Sequence, residues 1–289
     1  MEYIISRLSE DLAKKILSNK DNAIEYLQEI NKQLKLKELE KIDKSISTED
    51  VWKLVVKHWN YEISKNILRK LFKKSEKYQR GKESADAIGR LLDEWKKLSL
   101  GEIEWPCSQG DFNGFVQRIN SLSENGLIKD EKVKIAAVKY RRLKEINTVR
   151  NDYLETLIFD KNENIVPTLD NRRGVDFFIN GVSFDQKVAK SPTKQFIKDF
   201  GETWKEIAKN NPIKVAEYQY QDEGRFGADP RLYIVYLDEN IPVLELKNKI
   251  DQIDISKPLE VSFQYKHKVL GLKQYKTNCF VILLSKNEK

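Results

Sequence analysis

Fourteen residues near the middle of the 289-residue chain, GVDFFINGVSFDQK (Gly174–Lys187), hold the side chains best suited to chemistry. Asn180-Gly181 between two β-like runs is a strong hairpin signal and predicts a two-residue type I′ turn. Such a turn fixes the register: Ile179 pairs with Val182, Phe178 with Ser183, Phe177 with Phe184, and Asp176 with Asp185. Alternation then sends Val175, Phe177, Ile179, Val182, Phe184 and Val188 to one apolar face. Asp176, Phe178, Ser183, Asp185 and Lys187 fall on the other. Two aspartates directly opposite have Cβ atoms about 4.5–5.5 Å apart, and like charges there are destabilising unless something compensates. Mg²⁺ is a natural compensator, because it is held through one or two carboxylates plus waters and substrate phosphate. A divalent ion there lowers the pKa of water and neutralises charge developing at phosphorus, with Lys187 placed to orient or deprotonate that water. The plainer reading of the same residues is a solvent-facing hairpin in which Lys187 bridges two acids.

Asp176, followed nine positions on by Asp185-Gln186-Lys187 within a strand–turn–strand, resembles the PD-(D/E)xK nuclease core of many type II restriction endonucleases. The resemblance implies that Asp176 and Asp185, together with Gln186, bind the metal and that Lys187 acts beside the nucleophilic water. Two departures are visible: Val175 stands in place of the proline, and Asp185 in place of the usual Glu. The family often adds an acid from a preceding helix. Asp152 and Glu155 are the candidates, and Glu155 is preferred because Leu154, Leu157 and Ile158 mark the buried side near it; an ordinary surface Glu is the alternative. The order helix, Asp hairpin, D-x-K strand, helix, apolar strand over roughly 130–237 is similar to this core. The implied fold is α/β (α+β), a restriction-endonuclease-like core with a mixed central sheet, preceded by an all-helical N-terminal region.

Other chemistries find no support in the residues. Cys107 and Cys279 lack partner spacing, which argues against a disulfide framework or zinc knuckle, and His58 and His267 are isolated. Neither a G-x-S-x-G run nor a G-x-x-x-x-G-K-[ST] loop occurs. The longest apolar runs, Leu232–Leu237 and Phe280–Leu284, fall far short of the ~20 residues that cross a bilayer. The N-terminal MEYIISRLSEDL lacks the layout of a secretion signal, so the expectation is a cytoplasmic chain without a membrane span.

The net charge is +7, and residues 51–100 hold thirteen basic and six acidic groups whereas residues 151–289 balance at twenty-one each. Within the basic stretch, Lys65–Arg80 reads as an amphipathic helix. Lys65, Arg69, Lys73 and Lys77 recur every fourth residue opposite the apolar stripe of Ile67, Leu68, Leu71, Phe72 and Tyr78. Such a face repels itself unless an anion lies alongside, which a DNA backbone would supply; a solvated lysine face is the other reading. Further DNA-contact candidates are Arg172 and Arg173 before the hairpin, and Lys190 and Lys194 after it. Arg225, in a Gly-rich loop, has a guanidinium fork suited to guanine edges.

Helical periodicity extends over Leu8–Asn19, Asn22–Leu39, Asp50–Ile63, Lys65–Arg80, Ser84–Leu98 and Phe115–Glu124, with Asp130–Phe159 as one helix or two. Val175–Ile179, Val182–Val188, Lys214–Gln221, Arg231–Leu237 and Cys279–Leu284 read as strands, and Thr193–Asn210 as a helix between the second and third. Residues 1–129 therefore form a helical region suited to DNA binding or dimerisation, and residues 130–289 the catalytic domain. The whole predicts a Mg²⁺-dependent type II endonuclease acting on double-stranded DNA as a homodimer, since two identical sites suit a two-fold duplex. Two rivals stay open: a repair or structure-specific nuclease with the same core, and a DNA-binding protein without catalysis.

Overall fold

A computed structural model describes residues 8–101, 109–169, 175–223, 229–238, 241, 243–252, 254–267 and 269–286. The chain begins with helices α1 (Glu10–Leu17), α2 (Lys20–Leu34), α3 (Thr48–Lys57), α4 (Tyr61–Lys74), α5 (Glu76–Lys97), α6 (Gln109–Asn120) and the long α7 (Gly126–Lys161). Strands β1 (Ile165–Pro167), β2 (Phe177–Ile179) and β3 (Val182–Ala189) follow, then α8 (Lys194–Phe200), α9 (Trp204–Asn210) and α10 (Pro212–Glu223). The chain closes with β4 (Arg231–Tyr236), α11 (Val243–Gln252), β5 (Leu259–His267) and β6 (Gly271–Leu284). No helix among the described residues is long and apolar enough to cross a membrane.

The six strands form one mixed sheet in the order β1-β2-β3-β4-β6-β5. β1, β2 and β3 pair antiparallel, β4 lies parallel to both β3 and β6, and β5 returns antiparallel to β6. β4 is buried at every residue, as the apolar run that follows Arg231 predicts for a strand covered on both faces. Leu232 and Ile234 pack with Leu154 and Ile158 of α7 on one side. Tyr233 and Val235 pack with Phe196 of α8 and Val215 and Tyr220 of α10 on the other. A further core joins α1–α4 to the sheet's first strands, where Val166 and Phe178 meet Leu27, Val51 and Ile67. β2 is thus buried on both faces. Phe178 and Val175 face the N-terminal helices rather than water or the main core face.

Three expectations about elements are corrected. Lys65–Arg80 is not one helix: Ser75 is extended (ψ 149°), ends α4 and caps α5, its hydroxyl accepting the Tyr78 N–H and donating to Phe72 O. Lys214–Gln221 is not a strand but most of α10. Pro212 opens that helix, Asn211 accepts the Lys214 N–H, and Val215, Ala216, Gln219 and Tyr220 are buried at helical spacing. Thr193–Asn210 is not one helix but α8 and α9, parted at Gly201 (φ 52°), and the expected Cys279–Leu284 strand is the end of the longer β6, which pairs with β5. Asp130–Phe159 resolves as a single helix, α7.

One glycine sets how closely the helical region approaches the sheet layer. A Cβ on Gly81 of α5 would lie 1.9 Å from Thr156 Oγ1 and 2.8 Å from Asp152 O of α7. Gly89, two turns on, meets nothing within 4 Å. Gly81→Ala should therefore destabilise the protein by about 1–3 kcal/mol through overpacking. Gly89→Ala should stabilise it by roughly 0.5–1 kcal/mol through helix propensity. Urea unfolding of both variants checks the opposite signs.

Candidate active site

The central hairpin forms with the expected turn and ladder. Asn180 and Gly181 both have positive φ (51° and 81°), and Ile179, Phe178 and Phe177 oppose Val182, Ser183 and Phe184. The ladder then departs from regular register. The Asp176 N–H donates to Phe184 O at 2.9 Å, so Asp176 and Phe177 both address Phe184, the arrangement of a β-bulge. Asp185 gives its N–H to Pro230 O, and Asp176 O accepts the Thr168 N–H. The direct opposition of Asp176 and Asp185 is therefore not formed, because β3 passes its hydrogen bonds from β2 to β4 at that point.

What replaces it is a side-chain contact. The next N–H of β3 on the β2 side, that of Gln186, donates to Asp176 Oδ2 at 2.7 Å. Asp176 thus lies against the peptide that joins Asp185 to Gln186, in the gap where β2 has peeled away. Burial pushes the Asp176 carboxyl up, opposed by the Gln186 N–H and by the nearby Lys77 ammonium.

Glu155 approaches from α7. Lys77, in the first turn of α5, makes an ion pair with Glu155 Oε2, and the two side chains are only 14% and 12% exposed. Burial pushes the Glu155 carboxyl up to about 7; Lys77 pulls it down, and Asp176 and Asp152 push it further up. Asp152 is held by Arg80 at 3.2 Å. Of the two helix acids, Glu155 is the one that shares its field with Asp176.

Asp185 and Lys187 project from the face of β3 that also carries Ala189. They lie alongside their parallel partners Arg231 and Tyr233, which belong to the α10 side of the sheet. Arg231 is buried beside Asp185, its guanidinium 5.8 Å from the Tyr220 ring. Gln186 points the other way, with Leu232, and its side-chain Oε1 is buried without a hydrogen-bond partner. The structure therefore gathers Glu155, Asp176 and the Asp185–Gln186 peptide, with Lys77 added, and sets Asp185 and Lys187 together on the adjoining face. Among the described residues no three His, Cys, Asp or Glu side chains are close enough to hold a metal ion between them. The donor chemistry still fits Mg²⁺, which takes one or two carboxylates and keeps its waters, better than a cation needing an all-protein cage.

The basic face assigned to DNA is largely turned to internal use. Arg69 donates to the carbonyls of Phe159, Asn162 and Ile165 and stacks 4.1 Å from the Phe159 ring, so it closes the end of α7 rather than facing a duplex. Lys65 pairs with Glu62, and Lys70 and Lys74 pair with Glu29 and Glu25 of α2. Lys73 is exposed on this helix, as are Lys190 and Lys194 beyond β3. Arg172, Arg173 and Arg225 lie outside the described residues. A separate cavity of about 430 Å³ between α5, α6 and α7, lined by Trp95, Phe112 and Tyr140, contains none of the residues above. No protein-family model, curated protein or solved structure matches the chain.

Lys77 was legible only as one more member of a basic face; its partner is 78 positions away in sequence. Because the folded Glu155 carboxyl binds its proton more tightly than the ordinary 4.5, its contribution to stability is fullest below pH 4.5 and is lost as pH rises towards 7. Urea midpoints measured from pH 4.5 to 8 should fall across that window. Glu155→Gln should flatten the fall while lowering stability overall, since Lys77 loses its partner.

Proposed function

We propose that this chain is a Mg²⁺-dependent endonuclease that hydrolyses double-stranded DNA at a short specific site, in the manner of a type II restriction enzyme with a PD-(D/E)xK-like core. The observation that carries the reading is the seating of the Asp176 carboxylate against the Asp185–Gln186 peptide, within the field of Glu155. The element order supports it too. The resemblance implies helix, Asp hairpin, D-x-K strand, helix and apolar strand, and α7, the β2–β3 hairpin, α8 to α10 and β4 follow in that order.

In this reading Asp176 and Asp185, with Gln186, would hold Mg²⁺. The bound ion would supply a lowered pKa for water and neutralise charge at phosphorus. Lys187, on the same strand face as Asp185, orients the attacking water and donates to the phosphoryl oxygens as charge builds on them. The water oxygen bonds to phosphorus, the bond to O3′ breaks, and the departing O3′ takes a proton. The products carry 5′-phosphate and 3′-hydroxyl ends. Lys190 and Lys194, exposed just past β3, are suited to the phosphates of the cut strand. A homodimer in the cytoplasm completes the proposal. Leu127, Ile128 and Ile135, each more than half exposed along the start of α7, offer apolar surface for it.

The rival is a DNA-binding protein without catalysis, favoured by the satisfaction of Glu155 by Lys77 and by the separation of Asp185's face from that of Gln186. Plasmid cleavage with Mg²⁺ separates the two. Asp185→Ala and Lys187→Ala should each slow cutting by at least ~100-fold while gel-shift affinity changes little. Wild-type cutting by either variant would remove the site assignment. Discrete fragments from a long DNA of known sequence are the expected product pattern; a smear would favour a repair or structure-specific nuclease.

A further inference from the structure

The sheet runs on past its own core at one corner. β4 pairs with β6 over Cys279–Leu284, whereas β5 pairs with β6 from Leu259–Cys279 out to His267–Gly271. The ribbon from the Glu260–Asn278 pair outward therefore stands beyond the last residue that β4 supports. Its foot is level with the proposed catalytic strand. Asp185, Arg231, Cys279 and Leu259 form one row across β3, β4, β6 and β5. Two strand spacings, about 10 Å, thus separate Asp185 from the foot of the ribbon.

The two faces of the ribbon differ. Val261, Phe263, Tyr265 and His267, with Tyr275 and Thr277 across from them, make the back. Tyr220 of α10 stacks on Phe263 at 4.8 Å, Phe263 stacks on Tyr275 at 5.2 Å, and His267 shares a hydrogen bond with the Tyr275 hydroxyl. An isolated hairpin is marginal in water, and this aromatic backing stiffens it. The front carries Ser262 opposite Lys276, Gln264 opposite Gln274 and Lys266 opposite Leu272, all exposed. Glu260, the one acid among the described residues of the two strands, is paired with Lys276. Glu217 of α10, at the margin of this face, is paired with Lys214. Val269, Leu270 and Leu272 at the tip are each more than half exposed, a cluster that solvent alone does not favour.

These are side-chain types that read base edges. Gln matches adenine N6/N7 and Lys guanine O6/N7, Ser suits either, and an apolar group meets the thymine methyl. The major groove is about 12 Å wide and admits a two-stranded ribbon. Directly opposed side chains such as Gln264 and Gln274 start about 4.5–5.5 Å apart at Cβ, close enough to address adjoining base pairs. Three lysines against one acid on the two strands complement the phosphates that border the groove.

We propose that the β5–β6 ribbon is the element that reads sequence. Its Ser262, Gln264, Lys266 and Gln274 face enters the major groove of double-stranded DNA and contacts base edges there. The inference rests on the reading above of a chain that cuts DNA at a short site, and it says which part of the chain chooses that site.

The test is a selection from a pool of random-sequence duplexes, with Ca²⁺ in place of Mg²⁺ so that DNA is bound and not cut. Full-length wild type and the Gln264→Ala/Gln274→Ala double variant are compared, and plasmid cleavage by wild type is followed in parallel with Mg²⁺. Wild type should enrich one short motif. The double variant should lose roughly 5–150-fold of preference for each base contact removed, while its affinity for bulk duplex stays within about twofold. The enriched duplex rebuilt with 7-deazapurines, which lack the major-groove N7 acceptor, should bind wild type no better than bulk DNA. An unchanged motif in the folded double variant overturns the inference and leaves the nuclease reading standing. Full affinity for the 7-deazapurine duplex does the same, even if the double variant does not fold. Duplex binding and cleavage by wild type without any enriched motif overturn the inference and leave a nuclease without site preference. Neither binding nor cleavage by wild type overturns both.

Discussion

The packing of α5 on α7 leaves Glu155 almost without water, and Lys77 is what makes that burial tolerable. An isolated carboxylate transferred from water to a protein interior is costly enough that it gives up its charge instead. The pair is balanced on the same scale: attraction in a low-dielectric setting offsets desolvation only when the geometry is close, and removing one partner of such a pair typically costs about 3–5 kcal/mol. The contact exists because position 81 has no side chain to separate the helices. A single missing methyl group thereby couples a layer of N-terminal helices to the acids at the mouth of the hairpin.

The second constraint is topological. β3 is antiparallel to β2 and parallel to β4, and it serves β2 mainly with its first half and β4 with its second. Where the ladder changes hands, main-chain groups on the β2 side lose their strand partner, and a buried N–H without an acceptor is expensive. The Gln186 N–H solves this by taking the Asp176 carboxylate. The bulge at Asp176 makes the solution possible, since an extra residue in one strand re-aims a side chain and lets the strands diverge. An acid is thus fixed at the opening of the sheet by a backbone need, before any ligand is considered.

What was legible in the sequence was local. Asn180-Gly181 dictates its turn through two positive φ values, and three ladder pairs follow from counting outward. β4 was legible because an unbroken apolar run has few other homes. The failures share a cause in distance along the chain. Counting in twos carries Asp176 opposite Asp185, but the hydrogen bonds that end the count come from Pro230 and Thr168, which the hairpin sequence does not contain. Tyr218 and Tyr220 alternate as in a strand, yet Pro212 and the buried quartet of Val215, Ala216, Gln219 and Tyr220 make a helix of the segment. Ser75, a cap in both directions, divided what periodicity joined.

The basic face of α4 and α5 teaches the same lesson about charge. A row of lysines with few acids nearby in sequence does call for an anion, and that inference from repulsion was sound. The anions are the chain's own: Glu25 and Glu29 of α2 for Lys74 and Lys70, Glu155 for Lys77, and the carbonyls ending α7 for Arg69. Glu29 shows how strongly these contacts bind charge, its carboxyl held down to about 2 by hydrogen bonds from Lys32 and Lys70. Cations held in this way are less free to exchange counterions with a phosphate backbone, and Lys73 is the exposed member of the predicted row on α4. Outside this network, Lys190 and Lys194 stand exposed past the end of β3.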